Sequence, residues 1–286
     1  MALARRRRWL AGGLAWLVTL TGCQSAQPGF HSPDLPYLAT PEQVGVEMLR
    51  IAGVRRDDVV YDLGSGDGRL VIAAAREFEA RAVGVELDPT LVQTSRERAT
   101  MAGVADRARF LWQDLFAADL GPATVVALYL REDVNLRLRP KLLQELAPGS
   151  RIVSHDFRMG TWVPDRVERV RGPDRVHTIY LWTVPADVVG RWTGTLRGRD
   201  TERPAVLDLA QRFQQLIGTL YLDGDPVFIT GHVEGNRFTV LAERVNVKLV
   251  ASVDGEEAKG ELTATDGTTG AWTARRQPQA APVPSK

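Results

Sequence analysis

The chain is poor in several things that would each have named a class of protein. Cys23 is the single cysteine among 286 residues, which leaves no partner for a redox pair or an internal disulfide. Neither sign of charge dominates: 36 basic residues stand against 35 acidic ones, for a net charge of +1. Four of the arginines, Arg5 to Arg8, sit in a leader, so the rest is slightly acidic and lacks the basic footprint of a nucleic-acid binder. The leader's apolar run, Trp9 to Leu20, is too short for a comfortable membrane span.

The most informative stretch that is present runs Val59-Val60-Tyr61-Asp62-Leu63-Gly64-Ser65-Gly66-Asp67-Gly68-Arg69. It reads as a buried strand entering a glycine loop. A dinucleotide site needs Gly-x-Gly-x-x-Gly, and here Arg69 occupies the third glycine's place. Asp62 and Asp67 would also repel a pyrophosphate, whereas they would attract a ligand bearing an ammonium and a sulfonium. S-adenosylmethionine carries both cations and no phosphate. The bland alternative is a tight strand-to-helix turn with solvated aspartates.

Leu70 to Phe78 has helical spacing, and Arg81 to Glu86 reads as a second strand ending in an acid. Glu86 follows Asp62 by 24 positions, where a strand-helix-strand unit can bring a carboxylate to a ribose; a solvated strand end is the simpler account. Asp88 is suited to cap a helix that starts at Pro89. A third strand, Ala108 to Gln113, stops at Asp114, a candidate for the adenine amino group or an ordinary turn residue. Further strands are expected at Thr124 to Leu130, Arg151 to Asp156, Val167 to Arg171 and Val176 to Val184, with a helix from Leu136 to Leu146.

Pro36-Tyr37-Leu38-Ala39-Thr40-Pro41, the glycine loop, Gly84 to Pro89 and Gln113-Asp114-Leu115-Phe116 together resemble the seven-strand class I methyltransferases, over about residues 35–185. Within that class the order of motifs, including Pro140-Lys141-Leu142 and Trp162-Val163-Pro164, is most similar to the protein-lysine methyltransferases that include the mitochondrial enzyme acting on the ATP synthase c-ring protein. The resemblance implies an α/β fold with a mostly parallel seven-stranded sheet. It also implies S-adenosylmethionine contacts at Tyr37, Thr40, Asp62, Gly64, Ser65, Gly66, Asp67, Gly68, Glu86, Leu87, Asp88, Asp114 and Leu115. The implied acceptor is a protein lysine or another amine. Ala127-Leu128-Tyr129-Leu130 replaces the Asn/Asp-Pro-Pro-aromatic motif of base and glutamine methyltransferases, so a nucleic-acid base is not expected as acceptor. Ser154-His155-Asp156-Phe157 departs from the eukaryotic lysine enzymes. Tyr129 is the candidate acceptor wall, able to hold an amine by cation–π contact, or else a packed core residue. His155 and Asp156 are candidates for a base and its orienting group, although His155 also reads as a satisfied structural histidine.

The leader has a charged n-region and a short h-region, as a signal peptide does. It ends in Leu20-Thr21-Gly22-Cys23, which matches the lipobox of bacterial lipoproteins and implies lipidation at Cys23, with Gln24 favouring the outer membrane of a diderm. The expected organisation is a signal peptide over 1–22, a tether over 23–35, the cofactor-binding domain over 36–186, a small all-β domain over 187–276, either barrel or sandwich, and a disordered tail over 277–286. Turns such as Asp223-Gly224-Asp225 and Glu234-Gly235-Asn236 separate the short strands of the second domain. An exported enzyme would be parted from a cytoplasmic cofactor. Two function classes therefore stand side by side: a methyltransferase, and an envelope lipoprotein that binds an adenosyl compound without transfer.

Overall fold

The computed structural model describes residues 39–199, 201–264 and 267–278; the leader, Cys23, the tether, Tyr37 and residues 279–286 lie outside the described residues. From Ala39 the order is α1 (Glu42–Ile51), β1 (Val59–Leu63), α2 (Arg69–Glu77), β2 (Arg81–Glu86), α3 (Pro89–Met101), β3 (Ala108–Trp112), β4 (Val125–Leu128), α4 (Glu132–Glu145), β5 (Arg151–His155), β6 (Arg166–Arg171) and β7 (Val176–Thr183). These strands form one sheet in the order β3-β2-β1-β4-β5-β7-β6, with β7 antiparallel to both of its neighbours. The sheet runs as Asp62↔Gly84 toward β2 and Asp62↔Ala127 toward β4, so the carboxyl ends of β1, β2 and β4 meet at one edge.

Both faces of this sheet are covered, which is why the central strand β4 is an unbroken, fully buried apolar run rather than an alternating one. One face packs Val60, Ala82 and Val153 against Val44, Leu49, Val71 and Ala74 of α1 and α2. The other packs Leu63, Leu128 and Ile152 against Leu138 and Leu142 of α4 and against Trp162 and Trp182. Helix α3 starts as expected, with Asp88 Oδ1 accepting from the Thr90 backbone N–H at 2.8 Å and Pro89 in the first position. Helix α1 is an element the sequence pattern did not single out. It closes on Arg151, which donates from Nη1 to the carbonyls of Ala52 and Gly53 while Nη2 pairs with Asp58.

Eight more strands follow: β8 (Gly190–Arg197), β9 (Glu202–Arg212), β10 (Gln215–Leu222), β11 (Asp225–Glu234), β12 (Arg237–Ala242), β13 (Val247–Asp254), β14 (Glu257–Ala264) and β15 (Thr269–Arg276). Each pairs antiparallel with the next, and β15 returns to β8, so the open choice between barrel and sandwich resolves to a closed barrel. Closure removes the exposed edges a meander would otherwise present. Trp192, Leu207, Ile229, Phe238, Leu249 and Trp272 fill the interior, as the width of an eight-stranded barrel requires.

The barrel meets the sheet domain through the β9–β10 turn. Phe213 stacks on Trp162 with ring centroids 5.5 Å apart and planes inclined by 10°. Gln214 donates from Nε2 to the Val163 carbonyl at 2.6 Å and to Asp165 Oδ1 at 3.1 Å. Those partners belong to the connection between β5 and β6.

Candidate active site

The glycine loop leaves β1 in a sharp reversal, with positive φ at Gly64, Gly66 and Gly68. Two glycines are required by close approach. A Cβ on Gly68 would lie 2.7 Å from the Phe110 ring and 2.8 Å from Ser95, and a Cβ on Gly84 would lie 2.6 Å from Ser65 Oγ. The loop is pinned from outside by Ser95, whose hydroxyl donates to the Gly66 carbonyl at 3.0 Å.

Asp62 is 8% exposed at the end of β1 and has neither a hydrogen bond nor an ion pair among the described residues. Burial first, and then the charges of Glu86 and Asp67, push its carboxyl up to about 7. A buried carboxylate held without a cation is costly in the protein alone and is relieved by a cationic ligand. Ser65 Oγ is likewise buried with no partner. These orphaned groups fit the ammonium end of S-adenosylmethionine. Glu86 is held by three backbone N–H groups, from Leu87 and Asp88 to Oε1 at 2.8 and 2.9 Å and from Gly66 to Oε2 at 2.9 Å. About four acceptor sites belong to a carboxylate, so the fixed side chain keeps room for a hydroxyl donor.

Asp67 behaves differently from the expectation. It pairs with Arg69 at 2.7 Å and with Arg98 of α3, so it is not a free negative charge awaiting a ligand. Burial alone would raise its carboxyl, but the hydrogen bonds and charges of Arg69 and Arg98 outweigh that and hold it at about 2. Arg69 also donates to the Thr40 carbonyl at 3.1 Å, tying the segment ahead of α1 to the loop. Asp67 therefore serves to shape the loop. Asp88 spends one carboxylate oxygen as the α3 cap, and exposed Asp114 accepts the Phe116 N–H at 2.9 Å in a turn. Half-exposed Leu87 lies beside Trp112, whose Nε1 donates to the Leu87 carbonyl at 3.0 Å, and Leu115 lies partly buried in the turn after β3.

One strand over from β1, Tyr129 follows the last residue of β4 and stacks on His155 of β5, with centroids 3.9 Å apart and planes inclined by 25°. Phe157 stands 6.1 Å from the Tyr129 ring. His155 is fully buried and uses both ring nitrogens: Nδ1 meets Thr40 Oγ1 at 3.0 Å and Nε2 meets His177 Nδ1 at 2.8 Å. Burial pulls its imidazole down to about 4, with His177 and Arg175 adding to the lowering and Asp156 opposing it. Asp156, whose backbone sits at φ 60°, lies 3.3 Å from His155 Nε2, accepts the Thr178 N–H at 2.8 Å and pairs with Arg175. The sheet thus brings Tyr129, His155, Asp156 and Thr40 together. Sequence reasoning missed His177, Arg98 and Arg175. Only the buried alternation of β7 carried any hint of His177, and nothing local signals the two arginines.

The family model for the ANTKMT methyltransferase domain matches residues 62–166. The chain is 43% identical over 155 residues to a protein-lysine N-methyltransferase of Saccharolobus islandicus, covering 54% of this chain and 96% of that protein. It is 37% identical over 155 residues to the adenine nucleotide translocase lysine N-methyltransferase of Mus musculus, covering 52% of this chain and 66% of that one. Among solved structures it resembles one described as an RNA methyltransferase from Salinibacter ruber in complex with S-adenosyl-L-homocysteine. That chain shares 52% identity at a TM-score of 0.51, over 53% of this chain and 96% of the other.

Proposed function

The chain belongs to the S-adenosylmethionine-dependent methyltransferase family that includes these protein-lysine N-methyltransferases, and from that premise we propose that it methylates the side-chain amine of a protein lysine. The observation that carries the reading is the orphaned, buried Asp62 carboxylate, which shares its sheet edge with the Tyr129–His155 stack. We further propose that Thr40, Asp62, Gly64, Ser65, Gly66, Gly68, Glu86, Leu87, Asp114 and Leu115 line the cofactor site, with Asp67 and Asp88 shaping its loop and helix.

Bound there, S-adenosylmethionine supplies a methyl group already activated by a positive sulfur. What remains for the protein is position, exclusion of water and removal of a proton from the amine. Tyr129 and Phe157 offer aromatic faces to a cationic lysine stem. A lysine has a reference pKa of about 10.4, so it must lose a proton before it can attack.

A labelled-methyl assay on protein and RNA fractions tests the acceptor, the RNA arm being prompted by the Salinibacter ruber relative. Label in hydrolysed protein as methyl-lysine is expected; label confined to nuclease-sensitive material overturns the lysine reading. We also propose, on Leu20-Thr21-Gly22-Cys23, that a lipid at Cys23 anchors the chain in the cell envelope. A Cys23→Ser variant should then leave the membrane fraction, and its retention there would count against the anchor.

A further inference from the structure

Building on the lysine reading, we propose that Thr40, His155, His177 and Asp174 form a proton path that carries the acceptor's proton from the cofactor edge to solvent. The links are Thr40 Oγ1 to His155 Nδ1 at 3.0 Å, His155 Nε2 to His177 Nδ1 at 2.8 Å, and His177 Nε2 to Asp174 Oδ1 at 3.2 Å. One set of tautomers satisfies all three. The Thr40 hydroxyl donates to the Nδ1 lone pair of His155; His155 donates from Nε2–H to His177 Nδ1; His177 donates from Nε2–H to the Asp174 carboxylate. The inner end is tied to the glycine loop by Arg69 on the Thr40 carbonyl, and the outer end is open, since the Asp174 side chain is 62% exposed. Between these ends His155 is fully buried and His177 is 2% exposed, so water does not reach the middle directly.

The step balances. The lysine ammonium releases a proton to the Thr40 hydroxyl as that hydroxyl passes its own proton to His155, and each ring then hands one on until Asp174 gives it to water. The electron pair of the broken N–H bond stays on nitrogen and forms the N–C bond, while the pair of the S–C bond leaves with sulfur. The groups facing the path are Tyr129 stacked on His155, Asp156 at 3.3 Å from His155 Nε2 and 3.7 Å from His177 Nδ1, and Arg175 paired with Asp156. Asp156 steadies a passing positive charge and Arg175 keeps that charge from being trapped. His155, Asp156 and His177 also bring three metal-binding atoms within 4.8 Å, but Arg175 occupies the very carboxylate oxygen that would face an ion. Gly172 supports the assignment, because a Cβ there would lie 2.4 Å from His177 Nε2.

The test is methyl transfer by the full chain with His177→Ala. At pH 7 kcat should fall at least about tenfold with KM for S-adenosylmethionine unchanged, and imidazole in the buffer should restore part of it. The deficit should shrink as the pH rises toward the lysine's own pKa of about 10.4, where the amine needs no base. Should His177→Ala fail to fold, Gly172→Ala, which displaces the same ring without removing it, is read by its kcat and pH profile alone, with no imidazole rescue expected. A folded variant with the parental kcat and pH profile overturns the path. So does a loss that neither pH nor imidazole alters, and so does parental activity that chelators abolish and zinc restores. A parent that transfers no methyl group at all overturns the proposed function and the path with it.

Discussion

At the scale of single residues, Asp62 couples stability to ligand binding. Its folded carboxyl titrates near 7, well above an unfolded aspartate, so the folded state holds an extra proton between about pH 4 and pH 7. Stability owed to this group is therefore full below about pH 4 and is lost as the pH rises through about 7. Asp62→Asn should raise the stability of the ligand-free protein at pH 8 by on the order of 2 to 4 kcal/mol while abolishing measurable cofactor binding. Urea unfolding and calorimetric titration measure the two effects; a variant that binds S-adenosylmethionine as tightly as the parent would remove Asp62 from the site. In the parent, affinity should fall about tenfold for each pH unit below 7, because the bound cation requires the ionised carboxylate. A flat affinity from pH 5.5 to 7.5 would contradict this. Asp62 was legible as a candidate because a strand-end acid ahead of a glycine loop is a local pattern. Its unpaired state was not, because Asp67 looked like its equal until Arg69 and Arg98 closed on it.

At the scale of elements, β1, β4, β5 and the end of α1 are held by one polar knot. Asp58, just ahead of β1, receives the Thr124 hydroxyl at 2.6 Å and pairs with Arg151, which also bonds the carbonyls of Ala52 and Gly53 just past the end of α1. Burial alone would raise the Asp58 carboxyl, but Thr124, the Arg55 N–H and Arg151 together hold it below the usual range. Arg151→Ala strands a buried carboxylate and should cost about 3 kcal/mol, read as a lower denaturant midpoint at pH 7. The deficit should narrow as the pH falls and Asp58 takes up a proton, first in the variant, where Arg151 no longer holds the carboxyl down; a deficit that persists in full at low pH would assign the loss to packing instead. The strands were readable from their apolar runs, and Asp88 from its place before Pro89. Helix α1 carries no such start signal, since Pro41 ahead of it provides no side-chain cap.

At the scale of the whole molecule, the barrel braces the connection that follows the candidate catalytic residues. Phe213 covers Trp162, Gln214 holds Val163 and Asp165, and Arg139 of α4 lies with its guanidinium 5.2 Å from the Phe213 ring. That connection begins at Asp156 and Phe157, beside Tyr129. Removing the brace with Phe213→Ala should lower kcat/KM for the acceptor about tenfold while leaving S-adenosylmethionine affinity within about twofold, since the glycine loop lies on the far side of β4. Equal loss of both, measured by steady-state kinetics and direct binding, would show that the barrel supports the fold alone.

Sequence by itself determined the α/β plan, the strand that carries Asp62, the glycine loop that follows it, and the meander of the second domain. Each of these is written in contiguous residues whose spacing and size dictate their backbone. Tertiary structure alone decided that the meander closes on itself, that Asp67 is neutralised by an arginine 31 positions on, and that His177 stands against His155. Those outcomes depend on the pairing of β15 with β8, on the register of β5 against β7 and on how α3 packs over the loop. A buried charge or ring nitrogen takes its meaning from whichever partner the packing brings to it.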